Sequence, residues 1–95
     1  MTKIVYNACY GGFSLSEKAF ARYKELGGAA YDYDWEIART DPILVQVIEE
    51  LGEEANNWAS NLNMIALPAG TKYRIEEYDG FETVMTFEDY KWETA

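Results

Sequence analysis

Residues 14–28 constrain this chain's fold more than any other stretch, because they specify a helix together with both of its ends. Ser14-Leu15-Ser16-Glu17 fits a capping box, with Ser14 capping the first turn and Glu17 reaching back to it. Leu15, Ala19, Tyr23 and Leu26 then recur along one face until Gly27-Gly28 supply a left-handed stop. Ile4 to Ala8, just before, reads as a short buried strand. The intervening residues therefore form a strand, glycine turn and helix start, a junction that aims free backbone N–H groups at one point.

The rest of the chain changes period several times. Tyr31 to Ile37 alternates apolar and acidic residues, which predicts a strand with Asp32, Asp34 and Glu36 in a row on its wet face. Asp41-Pro42 is a helix start, since Asp caps the orphan N–H groups and Pro loses nothing at the first helical position. Leu44, Ile48, Leu51, Ala55, Trp58 and Leu62 continue at helical spacing, so one long helix from Pro42 to about Leu62 is expected. Gly52 within it costs roughly 1 kcal/mol against alanine, and a break there is the alternative. Asn63 to Leu67 reads as a strand, and Lys72 to Phe87 as a hairpin centred on Asp79-Gly80.

For that hairpin, a two-residue turn sets Glu77 opposite Glu82, whereas a three-residue loop, Tyr78-Asp79-Gly80, gathers Tyr73, Ile75, Phe81, Thr83, Met85 and Phe87 on one side. The latter is the expectation, although it pairs Glu76 with Glu82. Glu88 to Ala95 packs through Tyr90 and Trp92 or frays. The order β-α-β-α-β-β-β fits a single α+β domain over residues 1–95, a largely antiparallel sheet with two helices on one face.

The 95 residues suffice for one core without disulfides or a structural metal. Cys9 is the only cysteine and there is no histidine, which removes an internal disulfide and the commonest metal ligand and general base. No cofactor or metal is expected. The N-terminus enters a strand pattern after a single lysine, so neither a signal peptide nor a membrane span is expected.

Charge is unevenly spread. Through Lys24, Lys3, Lys18, Arg22 and Lys24 face one acidic residue, Glu17, for a net charge of +3; the remainder carries four basic and sixteen acidic residues, net −12, against −9 for the whole. Such a chain repels nucleic acid and anionic lipid and steers towards basic partners, an attraction that salt weakens.

Two candidate sites follow. At the glycine junction, Cys9, Tyr10, Gly11, Gly12 and Ser14, with Lys18 and Arg22, can cradle a small anion such as a nucleotide. No Walker or dinucleotide fingerprint accompanies them. The acidic residues Asp32, Asp34, Glu36, Glu49, Glu50, Glu53, Glu54, Glu76, Glu77, Asp79 and Glu82 can present a negative surface to a basic protein. Without a histidine base, Cys9 reads as a structural thiol, and Tyr31, Tyr33, Trp35 and Trp58 read as core. Metal binding along Asp32, Asp34 and Glu36 is disfavoured because alternate strand residues lie roughly 7 Å apart.

Three segments, residues 7–16 (Asn-Ala-Cys-Tyr-Gly-Gly-Phe-Ser-Leu-Ser), Arg39-Thr40-Asp41-Pro42 with Glu49-Glu50-Leu51-Gly52, and residues 75–80 (Ile-Glu-Glu-Tyr-Asp-Gly), resemble a family of small proteins of tailed bacteriophages. The resemblance implies a phage gene acting in a bacterial cytoplasm and carries no functional residue. The leading expectation is a non-enzymatic protein that binds and inhibits a host factor, a nucleic-acid-handling defence component above others. The alternatives are a sponge for a nucleotide signal at the glycine junction, and an enzyme using Cys9 or carboxylates. A homodimer by strand addition is open to either of the binding readings.

Overall fold

A computed structural model describes residues 1–29 and 31–86. Ala30, Phe87 and the tail from Glu88 to Ala95 lie outside the described residues, with the expectations made for them. The chain is a single α+β domain: β1 (Thr2–Asn7), α1 (Glu17–Glu25), α2 (Pro42–Leu51), β2 (Leu62–Leu67), β3 (Tyr73–Tyr78) and β4 (Phe81–Thr86). Two short 3₁₀ turns, Asp34–Glu36 and Gly52–Ala55, punctuate it.

The strands form two antiparallel pairs, β1 with β2 and β3 with β4, rather than one sheet. Val5 lies opposite Met64 and Asn7 opposite Leu62. These four residues share the sheet face that receives the helices. Val5 joins Leu15, Ala19, Tyr23, Ile37, Leu44, Val47, Ile48 and Ala55 in the core, with Leu62 and Met64 packed against it. Both helices thus cover one face of the β1–β2 pair, as the sequence led us to expect.

Helix α1 starts two residues later than the capping box suggested. Its cap is Ser16, whose hydroxyl accepts from Ala19 N–H at 3.1 Å; Ser14 only donates to Gly12 carbonyl at 3.4 Å. At the other end Gly27, with φ of 90°, closes the helix as expected. Asp41 caps α2 by accepting from Ile43 N–H at 2.8 Å, and it also accepts from the buried Tyr23 hydroxyl at 2.6 Å. That bond ties α1 to the start of α2. Burial, reinforced by the Asp41 hydrogen bond, pushes the Tyr23 phenol up to about 12.

Three further expectations are corrected, beyond the single sheet and the Ser14 cap. Helix α2 ends at Leu51, because Gly52 adopts φ of 56° with ψ of −126°, a combination only glycine reaches without strain. Beyond it Asn side chains seize the backbone: Asn56 Oδ1 accepts from Leu62 N–H at 2.7 Å and Asn57 Oδ1 from Ala59 N–H at 2.8 Å. The stripe's continuation is broken, and Trp58 is 98% exposed on this turn.

Tyr31 to Ile37 is not a strand. The Asp34 carboxylate accepts from Leu15 N–H at 2.8 Å, tying the segment to the start of α1, and that of Glu36 accepts from Tyr33 N–H at 3.2 Å, a local bond across a turn, so neither lines the wet face of a strand. Only Ile37 is fully buried there, with Tyr31 half-buried; Tyr33 and Trp35 stack on each other at 4.2 Å between ring centroids, exposed rather than in the core.

The hairpin uses the two-residue turn. Tyr78 opposes Phe81 and Glu77 opposes Glu82, with positive φ at both Asp79 (48°) and Gly80 (87°), the combination whose twist matches paired strands. The like-charge opposition that argued against this register is relieved because the two carboxylates bond elsewhere. Glu77 accepts from Gly80 N–H, and Glu82 from Asn7 N–H and Arg39.

Candidate functional site

The site is built on Asn7, the last residue of β1, which is fully buried. Its side-chain N–H groups donate to the carbonyls of Cys9 (2.9 Å) and Gly80 (2.8 Å), and its Oδ1 accepts from Asn61 N–H at 2.8 Å. One amide therefore holds three segments: the 8–12 loop, the hairpin turn and the start of β2. Buried polar groups cost free energy unless bonded, so this arrangement fixes a single geometry.

Glu82 reinforces the joint. It is 6% exposed, accepts from Asn7 backbone N–H at 2.9 Å, and pairs with Arg39. The Arg39 guanidinium lies 3.5 Å from the centroid of the Phe13 ring, while its backbone carbonyl accepts from Val5 N–H at 2.9 Å. A carboxylate and an aromatic ring together hold one arginine.

The two glycines fill space at this joint. A Cβ on Gly11 would sit 1.7 Å from the Ala59 carbonyl oxygen, and one on Gly80 would sit 2.5 Å from the Gly11 oxygen. Three backbones thus cross in contact here. Cys9 is half-buried, and its thiol lies 3.2 Å from the Ala59 carbonyl and 3.6 Å from Asn7 Oδ1, a donor within the same joint.

The residues assigned to a small-anion site are drawn into other contacts. Lys18 pairs with Glu54 at 3.0 Å and Arg22 with Glu50 at 2.9 Å, and the Asp34 carboxylate takes the Leu15 N–H just ahead of α1. The Glu50 hydrogen bond pushes the Arg22 guanidinium up, and the same bond holds the Glu50 carboxyl below its usual range. Gly11 lies against the Ala59 carbonyl and its own carbonyl against Gly80, and Tyr10 projects from this turn, 69% exposed.

The acidic residues divide. Glu49, Glu50 and Glu54 pair with Lys3, Arg22 and Lys18 on the helical side; Glu82 is buried; Glu76 bonds Arg74. Asp34 and Glu36 bond backbone N–H groups, leaving Asp32, Glu53, Glu77 and Asp79 without an ion pair among the described residues.

Beside the hairpin tip, Tyr10, Glu76, Glu77, Tyr78, Phe81 and Thr83 enclose a hollow of about 350 Å³. Tyr10 leans on Phe81 with ring centroids 5.3 Å apart, and Tyr78 is 73% exposed. A second hollow of about 260 Å³ lies on the other side of Phe81, against Tyr6, Ile65 and Val84. Sequence reasoning selected Tyr10, Glu76 and Glu77 but missed Asn7, Arg39, Tyr78 and Phe81. The available signal was the repeated placing of tyrosine beside glycine or acid, at Tyr10-Gly11 and Tyr78-Asp79.

Among the described residues no helix is long and apolar enough to cross a membrane. Comparison of the chain with protein-family models, curated proteins and solved structures gives no match.

Proposed function

We propose that this chain is a non-enzymatic binding protein that engages a basic-surfaced protein through its hairpin tip. The supporting observation is the coincidence there of exposed tyrosines, Tyr10 and Tyr78, with the carboxylates Glu77 and Asp79, which have no ion-pair partner among the described residues. Exposed aromatic rings supply the buried area that binding hot spots need, and negative charge steers a basic partner to them. Following the resemblance to small tailed-phage proteins, the partner belongs to a bacterial host, with a nucleic-acid-handling defence component, and inhibition of it, as the working assignment.

The small-anion reading has less support, since its two cations are bonded to Glu54 and Glu50. The thiol-enzyme reading has less still, since the Cys9 thiol sits within bonding distance of Ala59 and Asn7.

Affinity capture from host lysate at roughly 0.05 M and 0.5 M salt tests the proposal. We expect one host protein retained at low salt, released at high salt, and lost when Glu77→Gln and Asp79→Asn are combined. No retention at low salt, or retention that ignores both salt and the double variant, overturns it.

A further inference from the structure

We infer that the outer edge of β2 pairs with β2 of a second copy of the chain, antiparallel about a two-fold axis at Ile65, joining two β1–β2 pairs into one sheet. The phase of the ladder shows which groups that edge offers. Ala8 N–H donates to the Asn61 carbonyl at 2.8 Å, so Asn63, Ile65 and Leu67 exchange their backbone bonds with β1. The N–H and C=O groups of Met64 and Ala66 point the other way, and they have no hydrogen-bond partner among the described residues. The opposite edge of the same sheet is closed: Val5 N–H donates to the Arg39 carbonyl and Asn7 N–H to the Glu82 carboxylate, both at 2.9 Å. Open edge strands are ordinarily blunted by charge, proline, a bulge or a covering element. Strand β2, Leu-Asn-Met-Ile-Ala-Leu in unbroken register, has no charge, proline or bulge within it, whereas β3 carries Arg74, Glu76 and Glu77.

Charge, length and register select a second copy over a foreign strand. Copies of a chain with net charge −9 repel one another, so they meet where charge is absent, and β2 alone of the described strands has no charged residue. The usable edge is also short. Leu62 N–H is taken by Asn56 Oδ1 at 2.7 Å and Pro68 has no N–H, so a longer foreign strand finds no donor beyond Met64 and Ala66. Setting Met64 opposite Ala66 of the second copy uses every N–H and C=O of this edge in both copies. Setting Met64 opposite itself leaves the Ala66 carbonyl facing the occupied Leu62 N–H. The first register also places Ile65, 36% exposed on the face away from the helices, directly against Ile65 of the second copy, a β-branched pair of the kind that stabilises sheets. Because both outer edges of the joined sheet are then the closed edges of β1, assembly stops at two chains.

The test is light scattering on the full chain over a roughly hundred-fold range of concentration. The expected mass rises towards twice the 10.9 kDa of one chain, and amide hydrogen exchange at Met64 and Ala66 slows in step. Ile65→Lys sets two ammonium groups against each other, and Ala66→Pro removes an outward N–H that β1 does not use. Each should return the mass to that of one chain, and each variant's own NMR spectrum reports its folding. In a Cys9→Ser background, Ile65→Cys should cross-link to its own copy on oxidation, since residues so opposed lie about 4.5 Å apart at Cα. Asn63→Cys, roughly 13 Å from its own copy, should not.

A one-chain mass at every concentration, a two-chain mass unchanged in both variants, or cross-linking of Asn63→Cys as fast as Ile65→Cys overturns the inference. If the mass is that of one chain and Ile65→Lys abolishes capture of a host protein, the edge takes a foreign strand and the second copy is overturned. Combining Glu77→Gln with Asp79→Asn should leave the mass unmoved, so the dimer stands or falls separately from the reading of the hairpin tip.

Discussion

The helical side and the hairpin tip of this protein are both rich in glutamate, and they use it in opposite ways. On the helical side Lys3, Lys18 and Arg22 reach across to Glu49, Glu54 and Glu50, so the basic stretch near the N-terminus and the acidic flank of α2 neutralise each other within the fold. At the tip, Glu77 and Asp79 stand beside exposed tyrosines, and Glu77 bonds only a backbone N–H among the described residues. The lesson is that a count of carboxylates overstates the negative surface. What a partner meets is set by where each cation folds back.

The joint between these regions can be broken directly. Gly11→Ala places a methyl against the backbone of Ala59, where no flexible side chain can yield, and should cost roughly 3 kcal/mol or more, the upper end of overpacking. Urea denaturation measures it. A loss under about 1 kcal/mol would show that the three-backbone crossing is not rigid.

Glu82→Ala comes next. In the sequence Glu82 is one more acidic surface residue, but in the fold it satisfies Arg39 and Asn7 N–H from a buried position. Its removal should destabilise by roughly 2–3 kcal/mol by leaving those donors unpaired, with Glu82→Gln recovering part of this. The contrast with Glu77→Gln sharpens the comparison, since that change should alter partner capture and leave the urea midpoint nearly unmoved.

How much of this was legible in the sequence follows from how local each signal is. Helix α1, the start of α2 at Asp41-Pro42, and strands β1 and β2 were readable because their apolar period and their caps agree. Tyr31 to Ile37 misled because perfect alternation says only which residues differ in polarity; Glu36 bonds Tyr33 N–H across a turn there, and Asp34 reaches Leu15 N–H, 19 positions away. The stripe through Trp58 misled in the same way, overridden by Gly52 and by the turn-forming side chains of Asn56 and Asn57. The hairpin register was misjudged because its penalty, Glu77 opposite Glu82, is removed by Arg39 and Asn7, residues 43 and 75 positions distant from Glu82. Of the site, Tyr10 and Glu77 were legible as types; the contact of Tyr10 with Phe81, 71 positions on, needed the fold.

Tyr23 offers a smaller, pH-resolved effect inside the helical layer. Its phenol is held at about 12 in the fold against about 10 when unfolded, so its contribution is complete below pH 10 and is lost as pH rises from 10 to 12. By pH 11 the loss should be on the order of 1 kcal/mol. Because lysines and other tyrosines titrate in the same range, the measurement is the difference between wild type and Tyr23→Phe. The variant should lack this slope and lose about 1 kcal/mol at neutral pH with the Asp41 bond. Parallel pH curves would remove the burial of Tyr23 as its cause.

The smallest effect tests the comparison from the other side. Lys18 and Glu54 are both well exposed, at 61% and 65% of their side chains, so Lys18→Gln should change stability by no more than about 0.5 kcal/mol. It nevertheless releases one carboxylate on the helical side from its internal cation. If internal pairing is what keeps that side from attracting basic ligands, an acetylated, amidated tetra-arginine peptide should shift the NMR signals of Glu54 and its neighbours in the variant and not in the wild type, and these shifts should vanish as salt is raised. If Lys18→Gln leaves the helical side unshifted, internal pairing is not what keeps a basic ligand from that side, and the difference between the two regions is one of aromatic surface.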